Sequence, residues 1–299
     1  MKRKIFALLL VFVMVFAMTA CQKVESESAG DIDTATEAEE SEATEATEAT
    51  EATEASTSTI DMSDVKLMND GNLTIGVEIG YPPFEDFAED GTTPIGYDID
   101  FAYALADKLG VEVNFINTAW DGIFQGIDSS YDCVISAVTI TDERKESMSF
   151  SDPYVNNYQA IIVPADYEGE ITGFKDLDGM AIAVQKETTS DVLMSDYVDT
   201  KTIECTISAN EKITTCFTQL ENGEIDAVVV DSTVADGYLA ANPGKFQKIF
   251  QDEQEPEQFG VAMGKDNAAL QKAINQAIAE LEAEGFFEEN INHWFGNAE

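Results

Sequence analysis

Arg144 has the most distinctive chemistry in this chain. Arginine occurs only at Arg3 and Arg144, and a guanidinium is a planar fork that grips a carboxylate through two parallel hydrogen bonds, which lysine cannot reproduce. Arg144 follows the apolar run Asp132 to Thr139 at a strand-to-helix junction; its competing reading is an ion pair on a helix surface. Asp231 ends another apolar run, Glu224 to Val230, and offers a carboxylate to an ammonium group; read alone, it is a plain helix N-cap before it is a ligand group. Tyr81 and Trp120 stand beside strand ends, where they flank a small ligand or pack into a core. Thr139, Thr188 and Thr189 carry hydroxyls at junctions of the same kind, and such hydroxyls also cap helices. Glu78 adds a second acid. An anion clamp, an ammonium acceptor and aromatic walls together describe a pocket for a free α-amino acid.

These residues can meet only if the elements before them end in one place. Leu73, Ile75, Val77 and Ile79 alternate as in a strand that Tyr81-Pro82-Pro83-Phe84 stops. Ile99, Ala102, Ala106 and Leu109 fall at helical spacing before Gly110, which ends the helix. Residues 111–115 read as a strand, Ile123 and Ile127 as a short helix, and residues 132–139 as a third strand. In the second half, residues 180–184 and 224–230 read as buried strands, with helices opening at Thr188 to Asp191 and at Asp231 to Thr233. One long helix is predicted from Leu270 to Phe287. This alternation indicates an α/β fold with mostly parallel sheets. About 240 residues are more than one compact sheet needs, so two lobes are expected. Glu78, the Thr139–Arg144 stretch, Thr188–Thr189 and Asp231 all follow predicted strands. Ligands of open α/β sheets bind outside the carboxyl ends of the strands, where helix N-termini also favour anions.

Composition removes other functions. The 299 residues hold sixteen Lys and Arg against fifty-eight Asp and Glu, a formal charge of −42. Such a chain repels phosphate backbones and has no clustered basic face, which excludes nucleic-acid binding. His293 is the only histidine, so His-rich metal sites and Ser-His-Asp triads are excluded, and neither metal nor cofactor is expected.

Residues 1–20 read as a signal peptide: a basic start at Lys2-Arg3-Lys4, an apolar run from Ile5 to Ala17 and small residues before Cys21. The apolar run falls short of the ~20 residues a membrane span needs. Residues 21–60 carry Glu-Ala-Thr repeats, with twelve acids and one lysine. They cannot bury enough apolar surface to offset their ordering entropy and are expected to form a disordered tether. Cys133 reads as a small buried hydrophobe. Cys205 and Cys216 have the option of pairing in an exported protein.

At several motifs the chain resembles the polar amino-acid substrate-binding proteins of bacterial ABC importers, extracellular solute-binding protein family 3. The motifs are Gly80-Tyr81-Pro82-Pro83-Phe84-Glu85, Gly96-Tyr97-Asp98-Ile99-Asp100-Phe101 and Thr139-Ile140-Thr141-Asp142-Glu143-Arg144-Lys145 with Phe150-Ser151-Asp152-Pro153-Tyr154. Gly223 to Asp231 and the ending from Glu284-Gly285-Phe286-Phe287 to Trp294-Phe295-Gly296 also match, so the resemblance covers about residues 72–296. It implies a type II periplasmic-binding-protein fold, with lobe one at 61–157 and 256–299 and lobe two at 158–255. Two crossing strands would act as the hinge on which the lobes close over a ligand. By resemblance, Arg144 takes the ligand α-carboxylate with help from Thr139 and the backbone near Ala137, and Asp231 takes the α-amino group. Thr188 and Thr189 reach across from lobe two, Tyr81 and Trp120 sandwich the side chain, and Glu78 sits at its far end. Glu187 departs from the family, which has glycine before the threonine pair. Cys21 resembles the lipidated cysteine of bacterial lipoproteins, which implies an anchor on the outer face of the cell membrane (the periplasmic face if there are two membranes). A monomer that delivers its ligand to a membrane permease, without catalysis, is the implied mode of action.

Glu78 and the acidic body favour a cationic side chain such as that of lysine, arginine or ornithine. Glutamine and cystine are the alternatives. A cyclohexadienyl or arogenate dehydratase on the same scaffold is the rival from another class, with Glu78 as its only obvious acid.

Overall fold

The computed structural model describes residues 60–296. The expected signal peptide, the lipidated Cys21 and the acidic tether up to residue 59 lie outside the described residues.

The chain opens with β1 (Asn72–Val77), whose residues from Leu73 onwards are all buried. Gly76 in this strand is required by its neighbour, because a Cβ there would lie 2.6 Å from the Tyr131 ring. A short hairpin, β2 (Asp86–Phe87) and β3 (Pro94–Ile95), leads to α1 (Tyr97–Leu109), which Gly110 ends at φ 70°. The left-handed conformation costs glycine nothing, so Gly110 turns the chain into β4 (Glu112–Asn117). Next come β5 (Cys133–Val134), α2 (Asp142–Ser147), β6 (Met148–Phe150) and β7 (Val155–Asn157). The second lobe holds β8 (Gln159–Pro164), β9 (Ala181–Gln185), α3 (Thr189–Asp199), β10 (Thr206–Asn210) and α4 (Ile213–Glu221). It continues with β11 (Ala227–Asp231), α5 (Ser232–Ala241) and β12 (Phe246–Gln251). The chain then returns through β13 (Glu257–Phe259) and β14 (Ala262–Gly264) to α6 (Ala268–Glu284) and α7 (Phe286–Phe295).

Two five-stranded sheets result, ordered β4-β1-β5-β14-β6 and β10-β9-β11-β8-β12. They follow one plan. In each sheet three strands pair in parallel, and the strand that comes next is antiparallel to both its neighbours: β14 in the first and β8 in the second. These odd strands are the ones that follow the crossing segments, where β7 pairs antiparallel with β13. The architecture is thus α/β with two sheets. Helices α1 and α6 cover the first sheet, burying Phe101, Leu105, Ile274 and Leu281 against Leu73 and Ile75. Each such side chain contributes about 1.5–3 kcal/mol by leaving water. In the second sheet Ile182, Val184 and Val229 face a separate cluster that includes Met194 of α3.

Two expectations need correction, and the open question of Cys205 and Cys216 has an answer. The strand read across 132–139 is a strand only at Cys133–Val134, because Ala137 takes a left-handed φ of 47°; beyond it Thr139 makes an isolated bridge to Phe259. The helix read across 270–287 is two helices, since Gly285 at φ 81° ends α6 and starts α7. Cys205 and Cys216 are free thiols. Cys216 packs in the cluster on one face of the second sheet and Cys205 against the cluster on the other, so the sheet separates them. Cys133 is buried as expected, and burial pushes its thiol up.

Candidate functional site

All nine sequence-derived candidates line one cleft: Glu78, Tyr81, Trp120, Ala137, Thr139, Arg144, Thr188, Thr189 and Asp231. Glu85, Ser136 and Gln185 complete its wall. Because the carboxyl ends of β1, β5, β9 and β11 point into the same space, residues far apart in sequence become neighbours there.

Arg144 lies in the short helix α2, whose start Thr141 caps by accepting the Arg144 N–H at 3.1 Å. Its guanidinium donates to the Thr139 carbonyl at 2.8 Å and stacks on Trp120 and Phe124, with centroids 5.4 and 5.2 Å away. These contacts aim the fork and leave most of its donors unassigned. Burial lowers its pKa, opposed by the charges of Asp231 and Glu257.

Asp231 precedes α5 but makes no capping bond with its side chain, so the plain N-cap reading fails. Its carboxylate instead accepts from Asn157 Nδ2 at 2.6 Å and Gln159 Nε2 at 3.0 Å, both on one oxygen. The other oxygen accepts the Tyr81 hydroxyl from the opposite lobe. Burial pushes the Asp231 pKa up, and the nearby Glu257 carboxylate adds to the rise. A cation brought to this oxygen pair would reverse that strain.

The remaining candidates divide by what already occupies them. Trp120 donates its indole N–H to the Glu187 carbonyl across the cleft at 3.2 Å. Glu187 sits at φ 61°, the conformation glycine adopts freely, which explains why glycine suits this position. Thr188 is the N-cap of α3, accepting the Asp191 N–H at 3.3 Å. Thr189 accepts from Gln159 at 3.2 Å and donates to Glu257 at 3.3 Å, and Thr139 also donates to Glu257 at 3.3 Å. The Ala137 N–H is not free: it donates to Asp98 at 2.6 Å. Of the backbone expected to help near Ala137, this one donor is committed to a buried acid. Asp98 and Glu85 both have raised pKa values because burial penalises their charge.

Glu78 is 2% exposed. One of its oxygens accepts from Gln185 Nε2 at 2.7 Å, and the other lies 3.0 Å from Lys212 Nζ. Burial raises its pKa, partly offset by Lys212. Sequence reasoning took Glu78 as an acid waiting for a ligand cation; the chain supplies a cation of its own. Lys212, Gln185, Asn157, Gln159 and Glu257 were missed. Gln159 and Asn157 carried a usable signal, as polar residues placed where the crossing strand enters an apolar run; Lys212 carried none.

The profile of the bacterial extracellular solute-binding proteins, family 3, matches residues 73–297. The chain belongs to that family. This solute-binding protein is 32% identical over 229 residues to the ABC transporter arginine-binding protein 1 of Escherichia coli strain K12, covering 75% of this chain and 90% of the relative. It is 34% identical over 233 residues to the L-cystine-binding protein TcyJ of the same strain, covering 77% and 85%. Among solved structures, an ancestral arginine-binding protein bound to arginine superimposes with a TM-score of 0.70 at 34% identity, covering 75% of this chain and 98% of the other. The type II periplasmic-binding-protein fold is thereby shown. Among the described residues of the solute-binding protein, no acidic, cysteine or histidine cluster could hold a metal ion, and no helix is long and apolar enough to cross a membrane.

Proposed function

We propose that this protein captures a free L-α-amino acid between its lobes and delivers it to the permease of an ABC importer. One observation carries the reading: Arg144, in α2 of the first lobe, and Asp231, at the end of β11 in the second, are of opposite charge and line the same cleft. Their opposite charges suit a ligand with carboxylate and ammonium on one carbon. Relatives that bind arginine or cystine by name support the same class.

The mechanism is binding by closure. The ligand carboxylate takes the open donors of Arg144, with the guanidinium plane braced on Trp120 and Phe124. The ammonium takes Asp231, which three donors already orient. Tyr81 and Trp120 bridge to lobe two through Asp231 and the Glu187 carbonyl, so closing the lobes and completing the site are one event. Exclusion of water then strengthens each charged contact. A micromolar dissociation constant requires about −8 kcal/mol, within reach of several charge-assisted bonds after ordering costs. The protein acts without turnover, as a monomer tethered through lipid on Cys21. Calorimetric titration with the common amino acids and cystine tests this: one or more should bind with one-to-one stoichiometry.

A second reading, dehydration of a cyclohexadienyl acid, rests on the raised pKa of buried Glu78, which suits a general acid. Its pairing with Lys212 opposes that rise and favours retention of the ligand. Turnover of prephenate or arogenate would establish the second reading.

A further inference from the structure

We propose that Lys212 determines which side chain the cleft accepts, by neutralising Glu78 from within the protein. The protein would then prefer an uncharged, hydrogen-bonding side chain, such as a carboxamide, over arginine, lysine or ornithine. This rests on the amino-acid reading above and narrows it.

Lys212 stands just before α4 in the second lobe. Its Nζ reaches the first lobe at two points, 3.0 Å from Glu78 Oε1 and donating to the Ile79 carbonyl at 3.2 Å. The Glu78 contact pairs the two charges. Glu78 is thus flanked by Lys212 on one oxygen and Gln185 on the other, both from the second lobe. When the lobes close, Glu78 meets a cation whether or not a ligand brings one.

A cationic side chain arriving beside buried Glu78 faces the like charge of partly exposed Lys212. It must either displace Lys212 or share one carboxylate with it, and both penalise binding. An uncharged polar side chain meets no such conflict. The one side-chain oxygen of Gln185, Oε1, is buried and has no hydrogen-bond partner in the structure. A carboxamide N–H can satisfy it without adding charge. The acidic surface attracts cations at long range, but the group that would hold one is already occupied.

The test is calorimetric titration of the full-length protein and of Lys212→Met with L-glutamine and L-arginine. Methionine keeps an apolar stem of similar reach and removes the charge. The wild type should favour glutamine over arginine by at least about tenfold, and Lys212→Met should move that ratio toward arginine by at least about tenfold, because Glu78 then lacks a cation. Should Lys212→Met not fold, Lys212→Gln gives the same comparison, and Lys212→Arg should retain the wild-type preference. A ratio unmoved by loss of the lysine charge, or a wild type that prefers arginine, overturns the role of Lys212 alone. Binding of no amino acid by the wild type overturns the amino-acid reading and the selectivity with it.

Discussion

Tyr81, in the loop after β1 of the first lobe, donates its hydroxyl to Asp231, the last residue of β11 in the second. The bond crosses the cleft and ends on a carboxylate that Asn157 and Gln159 hold from the hinge side. One acidic side chain therefore connects both lobes and the strands between them.

Tyr81→Phe removes that bond and leaves an Asp231 oxygen without its donor. Hydrogen bonds to charged groups contribute about 1.5–3 kcal/mol, so the ligand-free variant should be destabilised by that order. Denaturant unfolding at neutral pH measures it, and unchanged stability would show that the closed arrangement does not depend on this contact.

Asp231 also predicts how binding responds to pH. Its folded pKa is raised to about 7 by burial and by Glu257. The ligand ammonium needs the carboxylate form, so protons compete with ligand below that value. Affinity should fall as pH drops from 8 toward 5, by up to about tenfold per pH unit. Calorimetry across this range measures the slope.

The ligand-free protein should respond in the opposite sense. An acid with a raised folded pKa binds protons more tightly when folded, so its stability contribution is greatest at low pH and is lost as pH rises through the folded value. Asp231, Asp98 and Glu85 all shift this way. Unfolding free energy without ligand should rise on acidification from pH 8 to 5. A fall over that window would show that these acids are not buried together.

Glu187 holds a left-handed backbone at φ 61°, which costs an L-residue roughly 1–2 kcal/mol. Its side chain pairs only with half-exposed Lys186 at 3.4 Å, a contact of little energetic weight. Glu187→Gly should therefore stabilise the protein, by about 0.5–1 kcal/mol after the entropy glycine loses on folding. Thermal unfolding of the two proteins decides the sign.

The strand and helix alternation was legible because Leu73, Ile75 and Val77, or Ile99, Ala102 and Leu109, bury one face at a fixed period. The candidate polar residues were legible for a related reason: each follows a strand whose end the fold brings to one cleft. What could not be read depends on pairings far apart in sequence. Glu257 meets Asn157 only because β13 pairs with β7, with Glu257 opposite Asn157. The end of β5 follows from the Ala137 N–H turning to Asp98, a bond no local pattern announces. Gly285 sits where the apolar period continues across the break, so the periodicity of α6 conceals its end. Lys212 lies at an ordinary helix start, and only the approach of the two lobes gives it a partner in Glu78.

The most direct measurement is a calorimetric titration of wild type and Arg144→Ala with the tightest-binding amino acid. Removal of the guanidinium leaves the ligand carboxylate buried and unpaired, so affinity should drop by at least about 2–3 kcal/mol, on the order of thirtyfold or more. An Arg144→Ala protein that folds and binds as tightly as wild type would contradict the assignment of this cleft as the amino-acid site.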